Sequence, residues 1–444
     1  MSAYFDPDIE TASRERLQGH QFRSLKNVLE VANRKNPFYR RKFQEHGIEI
    51  KTIKSLDDLN KLPFSYKYEF ERDHQENPPF GTNLSEPIEN FIRYHQTTGT
   101  TGTPLKWLET RESWIWRRRV AATALVAAGM RPADISFFAF SFGPHVAFWG
   151  LLEGAQEIGS LIIASGGWNT LQRVRCIMEN RVTIVLCTPT YALRMAEVAK
   201  EHGIDLTRSS VRKLIHAGEP GALVPSFRKR IKETIGAVPY DYSGLTEVGA
   251  YAFQCQHQDT ATHVHEGEFI IEIIDPETGE SLPEGETGEM VLTNLGRPCS
   301  PSIRFRTGDL VRFKKGRCPC GRTFRMLDGG VLGRKDDMIL IRGMNVFPSK
   351  IGEIVQRYLV IGQEYQIVAY TKDGMGECLV QIEDTGKINS ETARANIEED
   401  LRQSFEIRIE VALVPQGHIP RYEYKSKRFV DKRKDDWQPH SGAS

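Results

Sequence analysis

The segment from Thr97 to Pro104 carries the strongest chemical signal in this chain of 444 residues. It reads Thr-Thr-Gly-Thr-Thr-Gly-Thr-Pro. Glycine permits tight turns and close approach of the backbone to a ligand, and threonine hydroxyls add donors beside exposed amides. Such concavities bind anions, so the segment predicts a phosphate-binding loop, with a plain polar loop as the alternative. The candidate ligand-binding residues are Thr97, Thr98, Gly99, Thr100, Thr101 and Gly102.

Cysteines and histidines in two stretches have the composition of a metal site. Cys318 and Cys320 lie close together on a turn, and Cys255 and His263 lie upstream in a polar segment. Three thiolates and one imidazole form a closed tetrahedral zinc site, which has no open position and is therefore structural. Cys-x-Cys is shorter than the usual Cys-x-x-Cys spacing, so free thiols in a loop are the alternative.

An aromatic run indicates a pocket for a ring. Residues 136–143 read Ser-Phe-Phe-Ala-Phe-Ser-Phe-Gly. Its end, with Phe142, Gly143 and His145, lies where a parallel strand delivers its carboxyl end to a ligand crevice. Gly167 and Trp168 follow the next strand in the same way. We interpret these loops as a flat pocket for an aromatic ring, with ordinary core packing as the alternative.

The spacing of apolar residues, which predicts the helices and strands that position these residues, changes along the chain. Apolar residues at helical spacing predict a helix within 20–45 that breaks at Pro37. A strand is predicted at 91–94 and a helix at 107–126. Apolar runs at 135–142, 160–164, 183–187 and 213–216, separated by helix-length stretches, predict buried strands of an α/β sheet. From 269 the pattern becomes that of an antiparallel hairpin.

A third pattern begins near residue 336. A helix at 351–359, strands at 365–370, 377–382 and 409–414, and a helix containing Ala393, Ile397 and Leu401 predict a small α+β module. The fold class is therefore α/β: a large N-terminal domain with mixed sheets and helices plus a β-rich subdomain, and a small C-terminal α+β domain. The polar tail from 432 to 444 is predicted to be disordered.

Bulk composition excludes several classes of function. Lysine plus arginine (59) nearly cancels aspartate plus glutamate (58), so we expect neither a nucleic-acid nor a membrane partner. No apolar run approaches the ~18–20 residues that span a bilayer. The N-terminus lacks the regions of a signal peptide, and an odd count of seven cysteines fits a reducing compartment. We expect a cytoplasmic protein.

Further motifs follow the threonine-rich loop in a fixed order. They are Ala-Gly-Glu-Pro-Gly at 217–221, Asp-Tyr-Ser-Gly-Leu-Thr-Glu at 241–247, Arg-Phe-Arg-Thr-Gly-Asp at 304–309, Gly-Arg-Lys-Asp-Asp at 333–337 with Asn-Val-Phe-Pro at 345–348, and Pro-Arg-Tyr-Glu-Tyr-Lys at 420–425. From about residue 90 to 430 the chain resembles the adenylate-forming superfamily of acyl-CoA synthetases, and specifically its phenylacetate–CoA ligase branch.

The resemblance implies a two-step reaction. A carboxylate attacks the α-phosphate of ATP to give an acyl-adenylate and pyrophosphate, and the acyl group then passes to the thiol of coenzyme A. The acid is expected to be aromatic, of the benzoate, aminobenzoate or arylacetate type. The same transfer to a carrier-protein thiol or to an amine is the alternative, and a nucleotide-binding protein without catalysis is a more distant one.

The resemblance also implies roles for individual residues. Glu247 would hold Mg²⁺, Thr246 would donate to the α-phosphate, and Lys425 would be the catalytic lysine. Asp309 would bind the ribose diol. Further nucleotide-binding positions are Gly218, Glu219 and Pro220, which would form the adenine-binding wall, and Asp241, Tyr242 and Arg334. The predicted ring pocket would hold the acyl group, with Ser243 and Gly244 as further positions. Relatives in this branch carry a similar cysteine pair and an upstream Cys…His, some with bound metal.

Domain movement is a further implication of the family. Asp336 matches the hinge between a core domain of residues 1–335 and a small mobile domain of residues 336–444, which rotates between the two half-reactions. Thr103 stands where this branch usually has lysine, so amides, hydroxyls and Mg²⁺ would bind the phosphates. A homodimer is a family-level expectation.

Overall fold

The computed structural model describes residues 3–97, 104–335, 339–341, 344–360, 362–372, 375–386, 390–405, 407–421 and 428–433. None of the helices in these ranges combines the length and the apolar character that a bilayer crossing needs.

Helices near the N-terminus pack against the β-rich part of the large domain. Their bounds are α1 (Pro7–Glu10), α2 (Arg14–Lys35), α3 (Pro37–Glu45) and α4 (Lys67–Glu76). The break predicted at Pro37 is confirmed. Asn36 caps α3 by accepting a hydrogen bond from the backbone N–H of Tyr39 at 3.1 Å, and Pro37 fits the first turn because an N–H there needs no helical partner.

A two-stranded sheet lies at the base of the threonine-rich loop. It pairs β1 (Phe91–Gln96) with β2 (Lys106–Thr110) in antiparallel register, and the helix α5 spans Arg111–Ala127. The strand predicted at 91–94 is confirmed, but the prediction of helix from residue 107 is wrong at its start. Pairing with β1 satisfies the backbone of β2, and Thr110 then caps α5 by accepting from the N–H of Ser113 at 3.3 Å.

A parallel layer forms the middle of the large domain, in the strand order β4-β3-β5-β6-β7. The strands are β3 (Ile135–Phe138), β4 (Leu161–Ala164), β5 (Ile184–Cys187), β6 (Lys213–His216) and β7 (Val238–Leu245). The helices are α6 (Val146–Ile158), α7 (Thr170–Glu179), α8 (Pro189–Glu201) and α9 (Pro225–Ile235). The four predicted strands are confirmed, although β3 ends at Phe138 and the chain turns at Phe142, where φ is 52°.

β7 also joins the parallel layer to an antiparallel layer. The strand order of that layer is β7-β8-β9-β13-β12-β11-β10, with β14 beside β12. Its strands are β8 (Gly249–Phe253), β9 (Ala261–Val264), β10 (Phe269–Ile274), β11 (Thr287–Asn294), β12 (Phe305–Lys314), β13 (Met326–Asp328) and β14 (Gly333–Arg334). The predicted hairpin is formed by β10 and β11.

The C-terminal part is the predicted α+β domain with its own apolar core, which includes Ile354, Ile367 and Leu401. β15 (Ile339–Ile341) pairs with β16 (Met344–Val346), and a second sheet has the order β19-β18-β17-β20. The remaining elements are α10 (Pro348–Val355), β17 (Tyr365–Lys372), β18 (Met375–Asp384), α11 (Ser390–Phe405), β19 (Glu410–Pro415) and β20 (Phe429–Asp431).

Candidate active site

A cavity of about 790 Å³ opens beside β7, where the parallel and antiparallel layers meet. Ligands of open α/β sheets bind beyond the carboxyl ends of parallel strands, and β6 and β7 end here. The predicted site residues that line this cavity come from segments far apart in sequence. They are Thr97, His145, Gly218, Tyr242, Gly244, Thr246, Glu247 and Arg334.

Thr97 fixes the start of the threonine-rich loop at the cavity wall. Its backbone N–H donates to the carbonyl of Leu105 at 2.9 Å, and its hydroxyl accepts from the backbone N–H of Leu105 at 3.0 Å. Several predicted site residues lie outside the described residues: Thr98, Gly99, Thr100, Thr101, Gly102, Asp336 and Lys425.

Hydrogen bonds from neighbouring side chains to backbone carbonyls hold the turn that carries Thr246 and Glu247. The Ser302 hydroxyl donates to the backbone carbonyl of Glu247 at 2.7 Å, and the Arg297 guanidinium donates to the same carbonyl. Arg117 donates to the carbonyl of Thr246 at 3.3 Å. The backbone of this turn is therefore fixed, while Thr246 and Glu247 both line the cavity.

A buried charge cluster of Glu109, Arg117 and Arg297 lies beneath this turn. The side chains of Glu109 and Arg297 are fully buried, and one Glu109 oxygen pairs with Arg117 and lies 3.3 Å from Arg297. Burial opposes ionisation of Glu109, but the two guanidinium groups outweigh it and hold the pKa of this carboxyl below its usual value. Two positive charges share one negative charge, and Arg117 lines the cavity, so the local field favours anions.

Asp309 and Arg334 are cross-strand partners on β12 and β14. Arg334 Nη1 donates to Asp309 Oδ1 at 2.9 Å, and Asp309 is 5% exposed. Arg334 lines the cavity together with Thr307 and Gly308. The carboxylate of Asp309 thus orients Arg334 at the cavity wall.

The three residues predicted as the adenine wall have different positions. Gly218 lines the main cavity with a φ of 94°, a conformation that favours glycine. Glu219 accepts a hydrogen bond from the backbone N–H of Thr190 at 2.7 Å, in the first turn of α8. Pro220 lines a second cavity of about 310 Å³ between the large and small domains.

The β7 residues Asp241 and Ser243 contact each other. The Ser243 hydroxyl donates to the Asp241 carboxylate. Burial raises the pKa of Asp241 to about 6, against the opposing effect of this hydrogen bond. Their neighbours Tyr242 and Gly244 line the cavity.

The two predicted acyl-pocket loops do meet in the structure. A Cβ atom built on Gly166 would lie 3.4 Å from the Phe142 ring. The Phe142 ring packs against Trp149 at 5.1 Å between centroids, and Trp149 Nε1 donates to the carbonyl of Gly143 at 3.0 Å. These two predicted residues therefore help to hold the loop.

The remaining acyl-pocket candidates differ in exposure. His145 lines the cavity, and its burial lowers the pKa of the imidazole below its usual value. Trp168 is 42% exposed, and its backbone N–H donates to the carbonyl of Ser165 at 3.2 Å. Gly167 has a φ of 83° in the same turn. Residues of α5 and α6 complete the lining of this cavity.

Helix turns of α5 and α6 supply much of that wall and are absent from the predictions above. The residues are Trp116, Arg117 and Val120 on α5, and Val146, Ala147 and Gly150 on α6. Their spacing of one, three and four places them on one face of each helix, which is visible in the sequence. A stripe that packs in the core has the same spacing, so only the packing distinguishes the two.

Trp116 is a fixed part of this wall. Its Nε1 donates to Glu268 at 2.7 Å, and its ring lies 5.6 Å from Phe269. A side chain at Gly296 would clash with the indole. Burial raises the pKa of Glu268 to about 7, although the Trp116 hydrogen bond lowers it.

The four predicted metal ligands form one buried cluster. The donor atoms of Cys255, His263, Cys318 and Cys320 all lie within 4.8 Å of one another. Cys255 and Cys318 are 3.6 Å apart at their sulfurs, and Cys320 Sγ is 3.4 Å from His263 Nε2. The Zn–S and Zn–N bond lengths of a tetrahedral site imply about 3.8 Å and about 3.6 Å for such edges, whereas a disulfide requires about 2.05 Å.

A hydrogen bond on the far side of the His263 ring supports the same geometry. His263 Nδ1 lies 3.3 Å from the carbonyl oxygen of Phe324, which can accept its N–H and leave Nε2 free to bind a metal. The backbone N–H of Arg322 lies 3.5 Å from Cys320 Sγ and can stabilise a thiolate. The donor set and its surroundings therefore fit zinc.

Arg230 links the two domains. It lies on α9 of the large domain and donates to the backbone carbonyls of Gln356 at 3.1 Å and Leu359 at 3.0 Å, in the small domain. Its burial lowers the pKa of the guanidinium below its usual value. This contact closes one side of the smaller cavity.

The fold and this site belong to a known class of enzyme. A model of the AMP-binding enzyme family matches residues 48–296, and a model of the AMP-binding enzyme C-terminal domain matches residues 343–433. The first match covers more than half of the chain. The class is therefore that of the adenylate-forming enzymes.

Individual relatives define the branch. The chain is 31% identical over 451 residues to the phenylacetate–coenzyme A ligase of Thermus thermophilus, covering 97% of this chain and 100% of the relative. It is 32% identical over 437 residues to the enzyme of the same name from Escherichia coli, covering 96% and 97% of the two chains. The chain belongs to the phenylacetate–CoA ligase branch of the adenylate-forming enzymes, as the motifs predicted. It is an AMP-forming acid–CoA ligase that activates a carboxylic acid and transfers it to coenzyme A.

A solved structure shows how the domains are arranged. The chain superposes on 2-hydroxyisobutyryl-CoA ligase in its postadenylation state with a TM-score of 0.91 at 28% identity, covering 98% of this chain and 93% of that one. Against the same ligase in its thioesterification state the TM-score is 0.74 at 29% identity, with the same coverage. The described arrangement is therefore closer to the postadenylation state.

Proposed function

We propose that this ligase activates an aromatic carboxylic acid of the benzoate, aminobenzoate or arylacetate type. The observation that carries this proposal is that the main cavity combines two kinds of wall. One wall has Gly218, Thr246, Glu247 and Arg334, and the other has Trp116 with the apolar turns of α5 and α6. Small-molecule sites have volumes of roughly 300–1,000 Å³, and this cavity of about 790 Å³ lies in that range. The names of the curated relatives support an arylacetate.

Adenylation brings two anions together, so its main requirement is neutralisation of charge. The buried cluster beneath Thr246 supplies a net positive charge, and Arg117 brings part of it to the cavity. Arg334, oriented by Asp309, provides a second guanidinium at the wall. Thr246 would donate to the α-phosphate, and Lys425 would bridge the acid and the phosphate in this half-reaction.

Glu247 fits the role of a magnesium ligand. It is a carboxylate, 8% exposed, on a fixed turn that lines the cavity. Mg²⁺ prefers carboxylate and phosphate oxygens, and when bound it neutralises charge on the pyrophosphate that leaves. The hydrogen bonds from Arg297 and Ser302 hold Glu247 where the triphosphate is expected.

We place the boundary between the domains at Asp336, with residues 1–335 as the adenylating core and residues 336–444 as the mobile part. The separate core of the small domain supports movement as one body. The two TM-scores against one ligase in two states support the same alternation. Rotation would withdraw Lys425 and admit coenzyme A.

We assign the cluster of Cys255, His263, Cys318 and Cys320 to a structural zinc ion. The buried, closed donor set supports this assignment. The cluster also lies beside the N-terminal segment, because the Tyr4 hydroxyl donates to the carbonyl of Cys320 at 2.7 Å. Zinc would therefore tie that segment to the sheet. Thiols that must stay reduced suit a cytoplasmic enzyme.

A pyrophosphate-release screen tests the acid class. The enzyme with ATP and Mg²⁺ is offered benzoates, aminobenzoates, arylacetates, short aliphatic acids and 2-hydroxy acids. We expect release to depend on an aromatic acid, and free coenzyme A to give saturable formation of the thioester. Activity with aliphatic or 2-hydroxy acids alone would refute the aromatic assignment.

A further inference from the structure

Gly150 is a buried glycine in the interior of α6, and it lines the main cavity. Glycine is a poorer helix former than alanine because it has more backbone freedom to lose. A glycine at such a position therefore calls for a local reason.

Packing gives no such reason at Gly150. Its φ is not positive, and a Cβ atom built there would meet no atom within 4 Å outside its own helix backbone. Gly154, one turn later, is different: a Cβ there would lie 2.8 Å from the Cβ of Ala121 and 2.9 Å from the backbone nitrogen of Ala122. Gly154 permits the close packing of α6 on α5, whereas Gly150 leaves open space.

That space lies at the end of the cavity where the two helices meet. Four residues separate Gly150 from Gly154, which is about 6 Å along the helix axis. Val120, which also lines the cavity, is next in sequence to Ala121 at the contact. The cavity is therefore closed at this end by the packing of α5 on α6.

Rigid neighbours bound the same region. Trp116 lies one turn before Val120 on α5 and is fixed by Glu268, and Ala147 lies one turn before Gly150 on α6. The lining of this cavity thus combines a planar indole with short side chains, which suits a flat ring. Thr246 and Glu247, on a different segment, provide the end where the carboxylate reacts.

We propose that Gly150 sets the size of the acyl group, by leaving room for the distal part of a ring at the closed end of the cavity. This inference rests on the proposed function, since the ring is the aromatic acid proposed above. A larger side chain at this position fills the space that the ring needs and leaves room for smaller acids.

The test compares Gly150→Ala and Gly150→Leu with the natural enzyme on acids of graded size. We expect Gly150→Leu to lower kcat/KM for the ring acid by roughly 10–200-fold relative to short acids, as for other changes of a methylene or more in an apolar pocket. The KM for ATP should stay within about threefold, since no contact with the nucleotide is altered. Gly150→Ala should retain the melting midpoint and give a smaller shift of the same sign.

Gly19 provides the matched control. It lies inside α2, away from the cavity, and a Cβ there would meet only Arg23 Nη1 at 3.5 Å. Gly19→Ala should leave the preference among acids unchanged. Two results overturn the inference. In the first, Gly150→Leu folds and shows the same preference among acids as the natural enzyme. In the second, its kcat/KM falls equally for all acids. If the natural enzyme prefers a bulky non-aromatic acid and Gly150→Leu still shifts it to smaller ones, the role of Gly150 stands and the aromatic assignment falls.

Discussion

Glu109 carries the negative charge that two buried guanidinium groups share beneath the turn of Thr246 and Glu247. Its position follows from the sequence only after β2 and α5 are placed, because the residue lies in β2, one residue before the strand ends, and Arg117 lies in the following helix. Arg297 comes from a distant loop and also reaches the carbonyl of Glu247. The Glu109 carboxylate therefore contributes both to the stability of the fold and to the position of the turn.

We expect Glu109→Gln to destabilise the fold by about 3–5 kcal/mol, because it leaves buried guanidinium charge without its partner. Adenylation should fall as well, since the turn of Thr246 and Glu247 loses its support. Unfolding in denaturant and pyrophosphate release measure the two effects. Glu157→Gln is the control, because its pair with Arg118 at 2.9 Å is part-exposed and should contribute less than about 1 kcal/mol. Equal effects of the two changes would contradict the proposed support.

Glu268 predicts a pH dependence of stability. Burial raises the pKa of its carboxyl from 4.5 to about 7, partly offset by the Trp116 hydrogen bond and Arg119 and reinforced by Asp6. Between these values the native protein keeps a proton that the unfolded chain has lost. Stability therefore falls as pH rises from about 4.5 to about 7, by at most about 3 kcal/mol.

Glu268→Gln removes this titration. The free energy of unfolding of the variant, relative to that of the natural protein, should therefore rise with pH across that window and stay at a constant difference above it. Denaturant unfolding at several pH values measures it. Glu284→Gln, on an exposed loop residue, should follow the natural protein throughout. A stability difference for Glu268→Gln that does not vary with pH would show that the carboxyl is already ionised.

At the scale of elements, the cysteine–histidine cluster joins β9 and the residues that follow β8 to the loop of Cys318 and Cys320. β8 and β9 are short strands with few backbone partners, and β9 pairs with β8 through two residues. A bound metal would add the cohesion that such a junction otherwise lacks. The N-terminal segment packs on the same loop through Glu10 and Arg322, 2.7 Å apart.

We expect the purified protein to hold stoichiometric zinc and Cys318→Ser to lose most of it, with a lower melting midpoint. The change removes a thiolate ligand from a closed site. Metal analysis and thermal unfolding are the measurements. Cys176→Ser removes a buried thiol on α7, away from the cluster, and should keep the metal. Absence of stoichiometric zinc at neutral pH would refute the site.

At the scale of the whole molecule, polar contacts between described residues join the two domains. Arg230 makes two of them, to backbone carbonyls at the end of α10. Under the proposed rotation of the small domain, these contacts would break in the second arrangement and would therefore bias the balance between the two half-reactions.

Arg230→Ala should favour the thioester half-reaction over adenylation by about fivefold, because it weakens the arrangement that resembles the postadenylation state. Single-turnover rates of pyrophosphate release and of thioester formation from supplied acyl-adenylate give the ratio. Lys229→Ala alters an exposed neighbour, 77% accessible, and should not change it. Both rates falling together would indicate general loss of structure instead.

The sequence by itself determined the class of enzyme and the order of its elements, and it singled out the four residues that form the cysteine–histidine cluster. Those signals are local: motifs keep their order, apolar runs mark strands, and cysteine and histidine are rare enough to stand out. It placed the start of α5 too early, because only pairing with β1 makes residues 106–110 a strand.

Tertiary structure decided which residues share the cavity. The helix turns with Trp116 and Gly150 have the spacing of an ordinary core face, so their role depends on how α5 meets α6. Packing also shows that Glu219 accepts a hydrogen bond from the first turn of α8 and that Trp168 is partly exposed. Whether an apolar face meets protein or ligand depends on distant segments, and local sequence does not encode their approach.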